Sequence, residues 1–211
     1  MPIIKYQDKL IHFAHIPKCA GTSIEHYLSS LNGVEIAFID EKFLQRDSNN
    51  QWNHSSPQHI DGKSLSRIFP VSFFDAFFTI VRNPVSRVTS AYNFQKNREK
   101  KIKDYISLDE FIKNDLINKY NELGWLDNHF LPQTLFFYPN VNYKIFKLEQ
   151  NGPANAKVFL DKYLFNNIVE SKIMQKNKSK ENFKEEISQK SLSILHEIYA
   201  KDFRSFGYPI D

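Results

Sequence analysis

The chain has 211 residues, 41% hydrophobic and 25% charged, with only 6 Gly and 9 Pro. That balance excludes wholesale disorder and collagen-like or low-complexity structure, and the length predicts a single domain over residues 1–211. A formal charge of +4 allows anionic ligands but is too small for a dedicated nucleic-acid binder, and the single cysteine rules out an internal disulfide framework or an all-cysteine metal site.

Lys5, Asp8 and Lys9 interrupt every apolar run near the start, unlike a signal peptide. The most apolar stretch, Val71 to Val81, contains Asp75 and is too short to cross a bilayer. A soluble cytoplasmic protein without a transmembrane segment is the expectation.

Ile11–His15 reads as a short buried strand, followed by the loop IPKCAGTS. Ile24, Tyr27, Leu28 and Leu31 then carry the i, i+3, i+4, i+7 spacing of an amphipathic helix over Ser23–Leu31. Val34–Ile39 is a second strand, and Asp40 to Pro57 a polar surface loop. Asp61 can cap a short helix through Phe69. Phe73–Val81 is the strongest strand. Asn83 and Pro84 then supply an N-cap and a first helical residue for a helix to about Lys100. Further on come a helix over Ser107–Asn118, a strand over Tyr143–Leu148, a helix over Lys157–Tyr163 and a basic stretch over Lys172–Lys184. Leu192, Leu195 and Tyr199 mark a closing helix. Alternating strands and helices predict an α/β fold with a mostly parallel sheet.

A strand, a glycine-containing loop with Lys18, and a helix opening on Thr22 and Ser23 is the layout of a phosphate cradle. The first N–H groups of such a helix have no partner and carry partial positive charge. Walker A chemistry does not fit, because its lysine directly precedes the Ser/Thr, whereas Lys18 sits ahead of Gly21. A cysteine phosphatase would need arginine six positions after Cys19, where Glu25 stands. A plain strand-to-helix turn is the simpler alternative. The second junction, FTIVRNPVSRVTSAY, puts Arg82 between strand and helix, with Ser86, Ser90, Asn93 and Asn97 on one helical face. Alone, that face could simply meet water.

As a pair, IPKCAGTSI (Ile16–Ile24) and VRNPVSRVTSAY (Val81–Tyr92) resemble the sulfotransferases that use 3′-phosphoadenosine 5′-phosphosulfate (PAPS). The likeness is strongest to carbohydrate sulfotransferases with a Pro-Lys-x-x-Gly-Thr-Ser loop, of the heparan sulfate 2-O-sulfotransferase type, and to their bacterial relatives. SPQHID (Ser56–Asp61), DNHFLPQ (Asp127–Gln133), FKLE (Phe146–Glu149), KNKSK (Lys176–Lys180) and the ending YAKDFRSFGY extend it to nearly the whole chain.

The resemblance implies a P-loop-like three-layer fold with a central, mostly parallel sheet flanked by helices. It implies PAPS as donor cosubstrate, no metal, and a hydroxyl-bearing acceptor, of carbohydrate or glycolipid kind. Lys18, Cys19, Ala20, Gly21, Thr22 and Ser23 would hold the 5′-phosphosulfate, and Arg82 with Ser90, eight residues later, the 3′-phosphate. Lys18 would also stabilise the leaving oxygen, and His59 would act as general base. His129 is the alternative base, or a contact to acceptor or donor. His12 and His15 lie three apart on a strand, so they face opposite sides and make a poor metal pair. Arg87 could help at the nucleotide or be solvated. A nucleotide kinase or NTPase, and a non-catalytic nucleotide- or glycan-binding module, are the rival readings.

Overall fold

The computed structural model describes residues 1–40, 42–170, 173 and 186–210. Five strands form one sheet in the order β3-β1-β2-β4-β5, with β1 Ile3–Tyr6, β2 Lys9–Ala14, β3 Val34–Ala37, β4 Ala76–Val81 and β5 Lys144–Lys147. β1 runs antiparallel to both β2 and β3, whereas β2–β4 and β4–β5 are parallel, so four strands point the same way. The helices are α1 Gly21–Ser29, α2 Gly62–Ser66, α3 Pro84–Asn97, α4 Leu108–Phe111, α5 Ile117–Lys119, α6 Gly152–Phe165, α7 Gln189–Ile198 and α8 Ala200–Phe206. The fold is thus α/β with a mostly parallel central sheet.

Side chains alternate across β4, as a strand requires. Phe78 turns to one face, stacks on Phe13 at 4.6 Å between centroids and meets Phe159 of α6 at 5.8 Å. Phe77 turns to the other and meets Tyr138 and Tyr143 at 5.6 and 5.4 Å. A second apolar cluster lies away from the sheet, where Val88 and Tyr92 of α3 pack with Phe111, Phe130, Leu195, Tyr199 and Phe203.

Several expected boundaries move. The strand expected from Phe73 starts at Ala76, because Val71–Phe73 coils into a 3₁₀ turn. The Asp75 carboxylate accepts the Leu10 N–H at 2.7 Å, anchoring the strand's entry beside β2. The helix expected over Ser107–Asn118 forms but passes through a π turn, Ile112–Leu116, between α4 and α5. Its start carries a capping box between Ser107 and Glu110. α6 begins five residues before the expected Lys157, with Pro153 in its first turn. β1 had no counterpart among the expected strands; its four residues pair on both edges and so become an interior strand. The basic run Lys176–Lys180 lies outside the described residues.

Candidate active site

β2 and β4 are parallel neighbours, in register from Ile11 opposite Ala76 to Ala14 opposite Thr79. Both strands therefore end on the same side of the sheet, at their carboxyl ends, and their connections to α1 and α3 emerge side by side. The Thr79 hydroxyl donates to the Ala14 carbonyl at 2.8 Å and ties the two strand ends together. Crevices at the carboxyl ends of parallel strands are where open α/β sheets bind ligands.

The first connection is tightly coiled. Lys18 and Ala20 both take the left-handed conformation, at φ 68° and 66°. Each such non-glycine residue costs on the order of 1–3 kcal/mol, supplied by the surroundings. Gly21 is required by space, since a Cβ there would lie 2.1 Å from the His15 ring. No side chain caps α1, whose third amide, Ser23 N–H, donates to the Ala20 carbonyl at 3.1 Å. The Lys18 ammonium rests 4.1 Å above the Phe94 ring, and no carboxylate among the described residues forms an ion pair with it.

The second connection holds Arg82 by its backbone. Gln133, fully buried, accepts the Arg82 N–H at 3.0 Å and donates to its carbonyl at 2.8 Å. The same Gln133 oxygen accepts the Cys19 thiol at 3.5 Å. Arg82 in turn donates from Nη1 to the Lys18 carbonyl at 3.3 Å. Asn83 caps α3 by accepting the Ser86 N–H at 3.2 Å, as its sequence position predicts. Ser90, one helical turn before Phe94, is half-buried on α3.

Beside these loops lies a row of histidines. His59 ends a 3₁₀ turn, Pro57–His59, and its Nδ1 lies 2.7 Å from Asp127 Oδ2. A carboxylate accepts and an imidazole N–H donates, so Nδ1 carries the proton and Nε2 keeps a lone pair. Asp127 is held further by the Ser56 N–H at 2.7 Å and the Ser56 hydroxyl at 2.9 Å. The His59 ring stands 5.1 Å from the rings of both His15 and His129. His15 bonds Glu25 at 2.5 Å. His129 donates from Nδ1 to the Leu126 carbonyl at 2.9 Å and stacks on Phe94, centroids 5.1 Å apart and planes within 8°. Contacts thus run without a break from Glu25 through His15, His59, His129 and Phe94 to Lys18.

An unusual backbone aims this row. Leu126, Asp127 and Asn128 are consecutive left-handed residues, at φ 46°, 56° and 58°. L-residues visit this region singly as a rule, so three in succession need outside support. Asn128 gives it by accepting the Gly124 N–H at 2.7 Å and donating to the His59 carbonyl at 2.8 Å. Arg87 grips the following chain, donating to the His129 and Leu131 carbonyls at 2.9 and 2.7 Å. Arg87 is wholly buried, so its guanidinium is not solvated, and its charge acts on the Cys19 thiol of the first connection.

Burial sets the protonation states. It pulls the Lys18 pKa down to about 8, with the positive charges of Arg82 and Arg98 acting in the same direction. It pushes the Cys19 thiol up to about 12, which removes it as a nucleophile at neutral pH. It lowers His59 against the opposing pull of Asp127, and drives His129 down to about 3, with His59 adding to the effect. Asp127 stays ionised because His59, His129 and Ser56 outweigh the burial that opposes its charge. The site therefore holds neutral imidazoles at His59 and His129, an anchored carboxylate at Asp127, and two cations, Lys18 and Arg82, with no carboxylate ion pair among the described residues.

Lys18–Ser23 and Arg82 lie in the two connections beyond the carboxyl ends of β2 and β4, joined by the Arg82–Lys18 bond, and His129 and His59 follow from Lys18 through Phe94. His12 sits apart, among Phe74, Phe77, Tyr138 and Tyr143. The site also includes Asp127, Glu25, Gln133, Phe94 and His15, to which the sequence assigns no role there. Asp127 and Gln133 sit in the quoted block DNHFLPQ, and that was their one signal. A cavity of about 460 Å³ beside β5 and α8, lined by Lys144, Lys147 and Ser205 among others, contains none of these residues. Among the described residues, no helix is long and apolar enough to cross a membrane.

A family model described as "Sulfotransferase family" matches residues 2–209. No curated protein and no solved structure matches the chain.

Proposed function

The chain belongs to the sulfotransferase family, and from that premise we propose that it moves a sulfuryl group from PAPS to a hydroxyl of a carbohydrate or glycoconjugate, on a P-loop-like fold formed by one domain. The observation that carries this reading is the meeting of the two strand-to-helix connections, where the Arg82 guanidinium bonds the Lys18 carbonyl at 3.3 Å beside a carboxylate-bound histidine.

In this reading the α1 amides of Gly21 and Thr22, with the Thr22 and Ser23 hydroxyls, hold the 5′-phosphosulfate. Lys18 leaves the Phe94 face and bonds the oxygen that bridges sulfur and phosphorus. Negative charge grows on that oxygen as its bond to sulfur breaks, so the ammonium binds the transition state more tightly than the ground state. Arg82 and Ser90 take the 3′-phosphate, the guanidinium by paired N–H donors. The acceptor hydroxyl attacks sulfur in line with the leaving oxygen, and His59 Nε2 takes its proton as the new S–O bond forms. Asp127 holds His59 in the required tautomer and stabilises the imidazolium that results. His129, stacked on Phe94 between base and lysine, lies against the reacting groups. The products are a sulfate ester and 3′-phosphoadenosine 5′-phosphate.

Thermal denaturation with 3′-phosphoadenosine 5′-phosphate tests the donor. At about 100 times its Kd the ligand adds roughly 2.7 kcal/mol of stability. A shift with ATP but not with the 3′-phosphorylated nucleotide overturns the reading. Transfer of labelled sulfate across an acceptor panel then tests the carbohydrate assignment.

A further inference from the structure

We propose that His59, Asp127 and His129 form a binding site for one divalent transition-metal ion of the zinc class, whose occupancy blocks the base. The inhibitory half rests on the reading of His59 as base, whereas the binding half stands on geometry alone.

The three residues can each offer one ligand atom, and those atoms lie within 4.8 Å of one another. Donors about 2.0–2.2 Å from a shared ion stand roughly 3–3.5 Å apart, so the cluster needs to close by on the order of 1 Å. His59 and Asp127 are already 2.7 Å apart. Two imidazoles and a carboxylate are a donor set that zinc and cobalt accept, with further positions open to water or an anion.

The surroundings match those of a ligating histidine. The His129 Nδ1–H is spent on the Leu126 carbonyl, which fixes the ring and leaves Nε2 free. Metal-bound imidazoles are oriented in this way, by a carbonyl or carboxylate on the other nitrogen. The left-handed turn over Leu126–Asn128 and the grip of Arg87 on the His129 carbonyl hold the ligands on a stiff support. Coordination through His59 Nδ1, the atom nearest Asp127, shifts that ring's one N–H proton to Nε2, so no proton leaves the imidazole and the base atom loses its lone pair. Glu25, reached through His15, adds negative charge nearby, and Lys18 beyond Phe94 opposes the ion. Selectivity for zinc-class ions over hard cations comes from the two nitrogen donors, since calcium and magnesium take oxygen ligands.

The experiment is titration of the donor-free protein with Co²⁺, read by its visible absorption bands, and with Zn²⁺ by calorimetry. One ion per chain is expected, with binding weakened at least about tenfold by His129→Gln and by Asp127→Asn, and unchanged by His54→Gln, which alters an exposed histidine. Wild-type protein provides a measurement independent of any variant, since the ¹⁵N imidazole resonances of His59 and His129 should move on adding Zn²⁺. Absence of a cobalt band, unmoved resonances, or binding lost in His54→Gln but not in the cluster variants overturns the site. Zn²⁺ should also suppress sulfate transfer, reversibly on chelation; full activity with the site loaded overturns the inhibitory half. A protein that transfers no sulfate but binds the ion as described refutes the proposed function and leaves the site standing.

Discussion

Lys18 is a cation with no carboxylate ion pair among the described residues, half-buried beside Arg82, and its pKa falls to about 8. An anionic donor favours the charged form, so binding raises that pKa. The sign follows: below about pH 8 the ammonium is already present and affinity is flat. Above it, donor affinity should weaken by up to about tenfold per pH unit, because each binding event must first protonate the lysine. Calorimetry with 3′-phosphoadenosine 5′-phosphate from pH 7 to 9.5 checks this, and Lys18→Ala should weaken binding and flatten the profile. For His59→Ala the expected loss is about 10²–10⁴-fold in kcat, with nucleotide affinity little changed. Asp127→Asn should move kcat the same way, since the neutral amide cannot stabilise an imidazolium. Full activity of either variant on its true acceptor removes the base assignment. At this scale the candidate residues of the first loop were legible, because a lysine, a glycine and two hydroxyls are contiguous in the chain. Asp127 was not, since its meaning lies in a 2.7 Å contact with a residue 68 positions away.

Elements set how those side chains are aimed. The connection between β2 and α1 tolerates only glycine at position 21, where an added methyl group would overlap the His15 ring. Gly21→Ala should cost about 1–3 kcal/mol in urea denaturation and displace His15 from Glu25. An unaltered midpoint would show that the loop has slack. Gln133 joins both connections through the Arg82 backbone and the Cys19 thiol. Gln133→Leu keeps the bulk but strands a buried N–H and a carbonyl, so about 1–3 kcal/mol of stability should go, together with nucleotide affinity. The caps were readable in advance, because Asn83-Pro84 act within a single turn of chain. The π turn in Ile112–Leu116 and the left-handed run over Leu126–Asn128 had no such mark. Their residues carry no glycine or proline to announce them, and outside hydrogen bonds hold the left-handed run in place.

Across the whole molecule, the site is braced from the second apolar cluster. Asp202 of α8, wholly buried, accepts the Gln133 and Thr134 N–H groups at 2.7 and 3.0 Å, and the Tyr199 hydroxyl donates to the Phe130 carbonyl at 2.6 Å. The C-terminal helices therefore hold the chain that carries His129 and Gln133. Asp202→Ala should leave two buried amides unpaired, and both the denaturation midpoint and nucleotide affinity should fall, although Asp202 touches neither loop connection directly. Retained affinity in a destabilised variant would show that the brace serves stability alone. The residue order by itself determined what depends on neighbours in the chain: the α/β alternation, the two strand-to-helix junctions, and the helix starts at Asn83 and Ser107. Such features rest on periodicity and capping, whose range is one or two turns. Only the tertiary structure decided that β2 and β4 are adjacent and parallel, that Arg82 reaches Lys18, and that three histidines form a row closed by Glu25 and Phe94. Those contacts join segments tens of residues apart, and burial in a shared core, not local propensity, selects their partners.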